Sequence, residues 1–496
     1  MFQYCSPEAA GVSSKRVLKL LKTLDSYGFN THSVLMLRGN QIFTECYYQP
    51  FHKDFLHRMY SVSKTFVSVA IGLAQDDGLL RLNDPIIRYF PSYVKENQGQ
   101  RFCEATIRDL LRMESAYYDT GSEHGYWFGA RTDDRVKEYF RYQDEKIPGT
   151  AYTYDSSGSF ILSTIVELVT GKPFLEYMRE KFLRDIGFSE EAYCLKVPGG
   201  HSFGDSGIMC TAKDLLLFAK FVMNLGEWNG KQYINRAYME EAVSRQVCND
   251  MFGFQDFSSS GYGYQIWRAP ENCFAFCGMG DQYALCDPDH DFIFVINSDN
   301  QGCTSSKALL FQAVYENIIH QLSDSLPEND TDLEHLMQYV THAKLNHFDA
   351  GHQTDFPSKI HGITYCLDPN PMGMDVVRFT FEGKKGTMHY RNRQGEKELV
   401  FGIGYNEFSE FPESGYSDMI AGQPADGNKY QCACSGCWTE PQKLILKLQI
   451  IDKYFGTGCF VFGFKDSRVT IMMHKTAEDF LCEYHGIAVG YAISES

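Results

Sequence analysis

Positive charge is scarce in this chain: its 496 residues carry 46 Lys and Arg against 63 Asp and Glu, a formal net charge of −17. A chain this acidic is repelled by phosphate backbones and anionic lipid, so neither nucleic acid nor a membrane surface is an expected partner. Long apolar runs are missing too, and none reaches the about 18 residues that a membrane-spanning helix needs. The opening MFQYCSPEAAGVSSKRV lacks the basic stretch and following apolar stretch of a secretory signal. Its 16 cysteines are therefore expected as free thiols in a cytoplasm. Cys432, Cys434 and Cys437 crowd together in CACSGC, but no second ligand pair at zinc spacing accompanies them, so no metal is expected. Alternation would simply put Cys432 and Cys434 on one face of a strand. The glycosylation sequon at Asn329-Asp330-Thr331 reads as ordinary linker in an unsecreted chain.

Apolar residues make up 44% and charged residues 22%, a globular balance, and the length exceeds one ordinary core. Helical stripes are expected at 13–28, 62–76, 106–113, 159–171, 174–184, 211–226 and 305–321. Strand patterns are expected as a hairpin over 33–48 and again at 262–268, 273–277, 282–287 and 291–297. Strands at both ends with helices between suit an antiparallel sheet carrying a helical insertion, an α/β (α+β) domain over residues 1–322. The polar stretch around SDSLPENDTD makes 323–339 a linker, and residues 340–496 break into short alternating runs. The latter predict an antiparallel β domain, barrel or sandwich.

Three serines sit in patterns that suggest a nucleophile. Ser202 lies in GHSFG, but a nucleophile elbow needs a strand before it and a helix directly after it, and both flanks here read as loop. Ser206 lies in GDSG, among helices rather than in an all-β region. Ser61 and Lys64, in YSVSKTF, open an apolar helix. Three residues along a helix are about 4.5 Å of rise and about 300° of rotation, so the two side chains share one face. A serine hydroxyl needs a base or a tuned neighbour to become nucleophilic, and a lysine in a helix apolar nearly all round needs a reason.

Several further segments follow in order: LNDPIIRYFP (82–91), ATIRDLLRMES (105–115), PGTAYTYDSSGSF (148–160), SGIMCTAKDLLLF (206–218) and GYGYQIW (261–267). Together with Ser61 and Lys64 they resemble the serine β-lactamase and penicillin-binding-protein-like hydrolases, on the class C β-lactamase and esterase side, over roughly residues 5–320. The resemblance implies a class C β-lactamase-like fold and acyl transfer without metal or cofactor. It implies Ser61 as nucleophile, Lys64 as its partner and Tyr154 as the general base. The backbone N–H groups of Ser61 and Met279 would form the oxyanion hole. Ser156 stands where the family has Asn. The third family motif aligns with Phe276, Cys277 and Gly278, with no cation at its head.

Without that cation the resemblance favours esters and argues against β-lactam hydrolysis. A small-peptide amidase or D-aminopeptidase-like activity is the enzyme alternative, and an inert ligand-binding or scaffold homologue is the other. Tyr117 and Trp127, in an aromatic-rich turn segment, are expected to line the acyl pocket. The expected partner is a small ester or amide. The β domain looks lipocalin-like in pattern, with a role at the site entrance or in a homodimer.

Overall fold

The computed structural model describes residues 2–493 apart from 95–99, 119–133, 143–144, 251–258, 416–424 and 478–480. Trp127 lies outside the described residues. The chain forms two compact units, one over Met1–Lys344 and one over Leu345–Ser496, apart from a few residues at 419–421.

The first unit is built on a seven-stranded sheet. Its strand order is Gln3–Tyr4, Gln41–Tyr47, Thr31–Arg38, Phe292–Ser298, Gln282–Asp287, Phe274–Gly278 and Trp267–Arg268. All neighbours are antiparallel except the parallel outer pair Gln3–Tyr4 and Gln41–Tyr47. The central strands are buried along their whole length, which accounts for their near-continuous Val, Ile, Leu and Phe content. One face packs on helix Ser14–Ser26 through Val17, Leu20, Leu21 and Leu24, and on helix Ser306–Asn317 through Leu310, Phe311 and Val314. On the other face Phe218 of helix Ala212–Met223 meets Phe276 of the sheet, with ring centroids 5.8 Å apart.

Chain segments between the second and third sheet strands and the returning ones form the expected helical insertion. Helix Ser63–Asp76 is buried on every side from Ser63 to Ala74, as its sequence requires. Two further helices begin with reciprocal capping boxes, Thr106 with Asp109 and Thr211 with Asp214. The stretch expected as a strand at 262–268 contains only Trp267–Arg268; before it the chain turns, with Gln265 at φ +59°.

The segment 323–339 is not a linker. Asn329 caps a helix over Asp330–His342 by accepting the Asp332 amide, and Leu336 is buried in the first unit's core, with Tyr339 and Val340 packed against that core. Its apolar residues recur at helical spacing beneath an acidic surface, and that acidic surface alone suggested a linker.

The second unit is a closed barrel of ten strands between Thr364 and Ala492, which decides between barrel and sandwich. Nine neighbouring pairs are antiparallel. Strand Gly395–Ile403 closes the ring by pairing in parallel with Ala425–Glu440. Cys432 and Cys434 are both buried, one strand repeat apart. Inside, the fully buried Glu413 carboxylate accepts hydrogen bonds from Tyr390, Tyr484 and Asn392 and faces the Lys397 ammonium at 3.3 Å.

Candidate active site

Ser61 lies in a single 3₁₀ turn, Tyr60–Val62, that runs straight into helix Ser63–Asp76. The residue before it, Tyr60, is buried in the left-handed region at φ +47°, a conformation that costs free energy in a bulky residue. Two sets of contacts hold it there. The Arg58 guanidinium carbon stands 4.2 Å from the Tyr60 ring centroid, and the Met59 amide donates to the Ile208 carbonyl at 2.8 Å. Gly278, the last residue of strand Phe274–Gly278, packs against the same turn. A Cβ on Gly278 would meet the Met59 carbonyl and come within 3.3 Å of the Ser61 amide nitrogen. Glycine is needed here for close backbone approach.

Lys64 is 1% exposed, and its ammonium has two placed acceptors. Its Nζ donates to Ser61 Oγ at 2.9 Å and to the Asp205 carbonyl at 2.7 Å. The same Nζ is 5.2 Å from the Tyr154 ring centroid, and the Tyr154 hydroxyl shares a hydrogen bond with the Ser61 side chain. The structure therefore brings Ser61, Lys64 and Tyr154 together around one hydroxyl. Burial pushes the Tyr154 phenol above its ordinary pKa, and the bond to Ser61 only partly offsets this. At neutral pH the resting tyrosine is a neutral phenol. To act as a base it must first give up its own proton, and the Lys64 ammonium is the neighbouring charge that favours the phenolate.

Asp155 fixes the tyrosine's backbone. Its buried carboxylate accepts from Ser115 Oγ at 2.6 Å and from Ser157 Oγ. Ser156, half-buried, is the first residue of helix Ser156–Thr170. Tyr117 is half-buried, and its amide donates to Ser115 Oγ at 3.3 Å, beside this shelf.

The third motif needs two corrections. Phe276 does not line the site: it is fully buried, with its ring against Phe218 and Phe274 in the core. Strand alternation then turns its neighbour Cys277 the other way. Second, this edge does hold a cation, delivered by another element. Lys307, near the start of helix Ser306–Asn317, hydrogen-bonds the Cys277 thiol and holds its Nζ 4.3 Å from the Trp267 ring centroid. Trp267 in turn stacks on Tyr154 at 5.5 Å and 26°. The aromatic wall of the site is completed by Tyr262, edge-on to Trp267 at 5.1 Å, and Tyr152, 5.5 Å from Tyr262. Sequence reasoning passed over Lys307, Trp267 and Tyr262. The aromatic density of GYGYQIW was the available signal for the last two, and Lys307 had none.

The competing serines are accounted for. The Ser202 amide donates to Glu167 Oε1 at 3.2 Å, and Ser206 Oγ accepts from Arg58 Nη2 at 3.1 Å. Among the described residues no group of three His, Cys, Asp or Glu side chains is arranged to hold a metal ion.

A mixed sheet flanked by helices, with a serine and a lysine one helical turn apart and a tyrosine facing them, defines the serine hydrolase class built on the β-lactamase and penicillin-binding-protein fold. Residues 19–314 match the Beta-lactamase family, well over half of the chain, and the protein belongs to it. Among relatives, the 6-aminohexanoate-dimer hydrolase of Paenarthrobacter ureafaciens is 25% identical over 284 residues, 53% of this chain and 71% of that one. A Beta-lactamase of Pseudomonas fluorescens is 28% identical over 142 residues, 28% of this chain and 37% of its own. A solved structure from Bacillus anthracis, provisionally named a 6-aminohexanoate-dimer hydrolase, superposes with a TM-score of 0.52 at 24% identity, covering 66% of this chain and 89% of its own. EstCE1, a hydrolase with promiscuous acyltransferase activity, gives a TM-score of 0.50 at 14% identity, covering 61% of this chain and 98% of its own.

Proposed function

We propose that the protein hydrolyses a small ester or linear amide through an acyl-enzyme on Ser61. The observation that carries this reading is the convergence of Lys64 Nζ, 2.9 Å from Ser61 Oγ, and the Tyr154 hydroxyl on that same oxygen. Once the Tyr154 and Lys64 pair has lost one proton, Ser61 Oγ attacks the carbonyl carbon as its own proton passes to the Tyr154 phenolate, the form that the Lys64 ammonium stabilises. The carbonyl oxygen becomes an oxyanion held by the backbone N–H groups of Ser61 and Met279, a reading supported by the close packing of Gly278, the residue before Met279, on the Ser61 turn. Tyr154 then returns the proton to the leaving alcohol or amine. Water, deprotonated by the same tyrosine, adds to the acyl carbon, and collapse of that adduct frees the acid and restores Ser61.

The preference for esters rested on a site edge without a cation. With Lys307 on that edge the preference loses its physical basis, and amides stand level with esters. The hydrolase named for 6-aminohexanoate dimer supports including linear amides in the reading. A fluorophosphonate probe followed by intact-mass measurement is expected to add once to the wild type and not to Ser61→Ala. Labelling that survives Ser61→Ala sinks the assignment. A panel of p-nitrophenyl esters, aminoacyl anilides and nitrocefin then sorts ester, amide and lactam turnover, with Ser61→Ala as the control.

A further inference from the structure

The ground beneath Ser61 and Lys64 holds more charge than the reaction uses. Strand His57–Arg58 pairs with Ile208–Cys210, which draws the loop before that second strand, Asp205 included, under the nucleophile turn. Asp205 is fully buried, and its carboxylate accepts no hydrogen bond from another residue among those described. Three cations from three elements surround it: Lys64 on the nucleophile helix, Arg58 on its strand, and Arg135 at the start of helix Arg135–Tyr142. Arg58 is anchored through Nε on the Ser206 carbonyl at 3.2 Å and through Nη2 on the Ser206 hydroxyl at 3.1 Å. Both guanidinium groups face the ring of Phe203, two residues before Asp205, at 5.5 and 5.3 Å. Tyr154 and the Cys194 thiol are the other titrating groups that feel the carboxylate.

On balance the protein's interior disfavours this anion. Burial lifts its pKa to about 6 even against the three cations. A buried carboxylate that weakens the fold and lies directly under the reacting groups calls for a functional reason. The lysine supplies one. Three buried cations with no anion among them repel one another, and a guanidinium does not give up its proton, whereas a lysine does.

We propose that Asp205 is a positioning residue whose charge keeps Lys64 an ammonium despite Arg58 and Arg135, and so sets the pH window in which Ser61, Lys64 and Tyr154 act. This rests on the reading of those three residues given above. The sign follows from electrostatics: a nearby negative charge makes every coupled proton harder to lose. Removing it moves the coupled dissociations to lower pH, and removing a neighbouring cation moves them to higher pH.

The test is the rate of Ser61 labelling by a fluorophosphonate between pH 5 and 10, read by intact mass. Asp205→Asn is expected to shift both limbs of the profile toward acid by about one pH unit, with Asp205→Glu restoring them. Arg135→Met is expected to shift them the opposite way, and it carries the test alone if Asp205→Asn does not fold. A role confined to stability would lower the melting temperature and leave the limbs in place. Folded variants whose limbs coincide with the wild type overturn the proposal while leaving Ser61 as nucleophile. A wild type that labels at no pH overturns both.

Discussion

Phe276 and Cys277 are neighbours that face opposite ways, and the chemistry of the site's edge turns on that. The phenylalanine belongs to the core and the thiol to the site, where Lys307 meets it. A lysine on the following helix thus occupies the edge that the strand itself leaves without charge. An ammonium beside an aromatic wall favours a substrate with a negative group on that side, and a charge-assisted hydrogen bond contributes about 1.5–3 kcal/mol. Lys307→Met is therefore expected to lower kcat/KM for a carboxylate-bearing ester about tenfold, mainly through KM, and to leave its neutral counterpart within about twofold. Steady-state kinetics on the matched pair check this.

At the scale of elements, helix Asp330–His342 is the part whose role changed most. Leu336 is buried in the first unit, so Leu336→Ala should cost about 3 kcal/mol, read by urea unfolding. A true linker would tolerate the change. The elements that were legible in advance are those with a one-sided or all-round apolar pattern, such as the Ser63–Asp76 helix, the two capping-box helices and the Thr31–Tyr47 hairpin. Ser61, Lys64 and Tyr154 were legible through motif order, and Gly278 through the need for close approach. What was not legible depends on contacts distant along the chain. The face that Phe276 takes depends on strand register, Lys307 reaches Cys277 across 30 residues, and Asp205 is buried only because two short strands pair around it. Nothing in GDSG marks its aspartate as the important residue.

At the scale of the whole molecule, the buried ionisable groups set how stability responds to pH. His32 and His57 are fully enclosed and share a 2.7 Å hydrogen bond between Nδ1 and Nε2. Burial lowers both below the ordinary imidazole range, His57 to about 3. Their folded pKa values are depressed, so the unfolded chain binds more protons below about pH 6.5, and stability falls as pH drops from there. Asp205 has the opposite sign: raised to about 6, it takes up a proton more readily in the folded state. Two imidazoles against one carboxylate leave a net slope of about 1.4 kcal/mol per pH unit between pH 6 and 4 from these three groups. His57→Gln, which cannot take up a proton, should flatten that slope, as measured by denaturant unfolding at stepped pH.

The closure of the second unit has a consequence for partnership. Strand Gly395–Ile403 meets Ala425–Glu440 through two residue pairs, Gly402 with Ser435 and Ile403 with Gly436, so the ring of ten strands closes at one short contact. A closure this short limits, without abolishing, the edge on which another chain could add a strand, so recognition of this wall leans on side chains and shape. The first unit's sheet ends in two short strands, Gln3–Tyr4 and Trp267–Arg268, and the second border is already occupied, since Trp267 bridges Tyr262 and the Arg268 amide donates to the Gly261 carbonyl at 2.9 Å. Recognition next to Tyr154, on which Trp267 stacks, therefore falls to side chains rather than to an added strand.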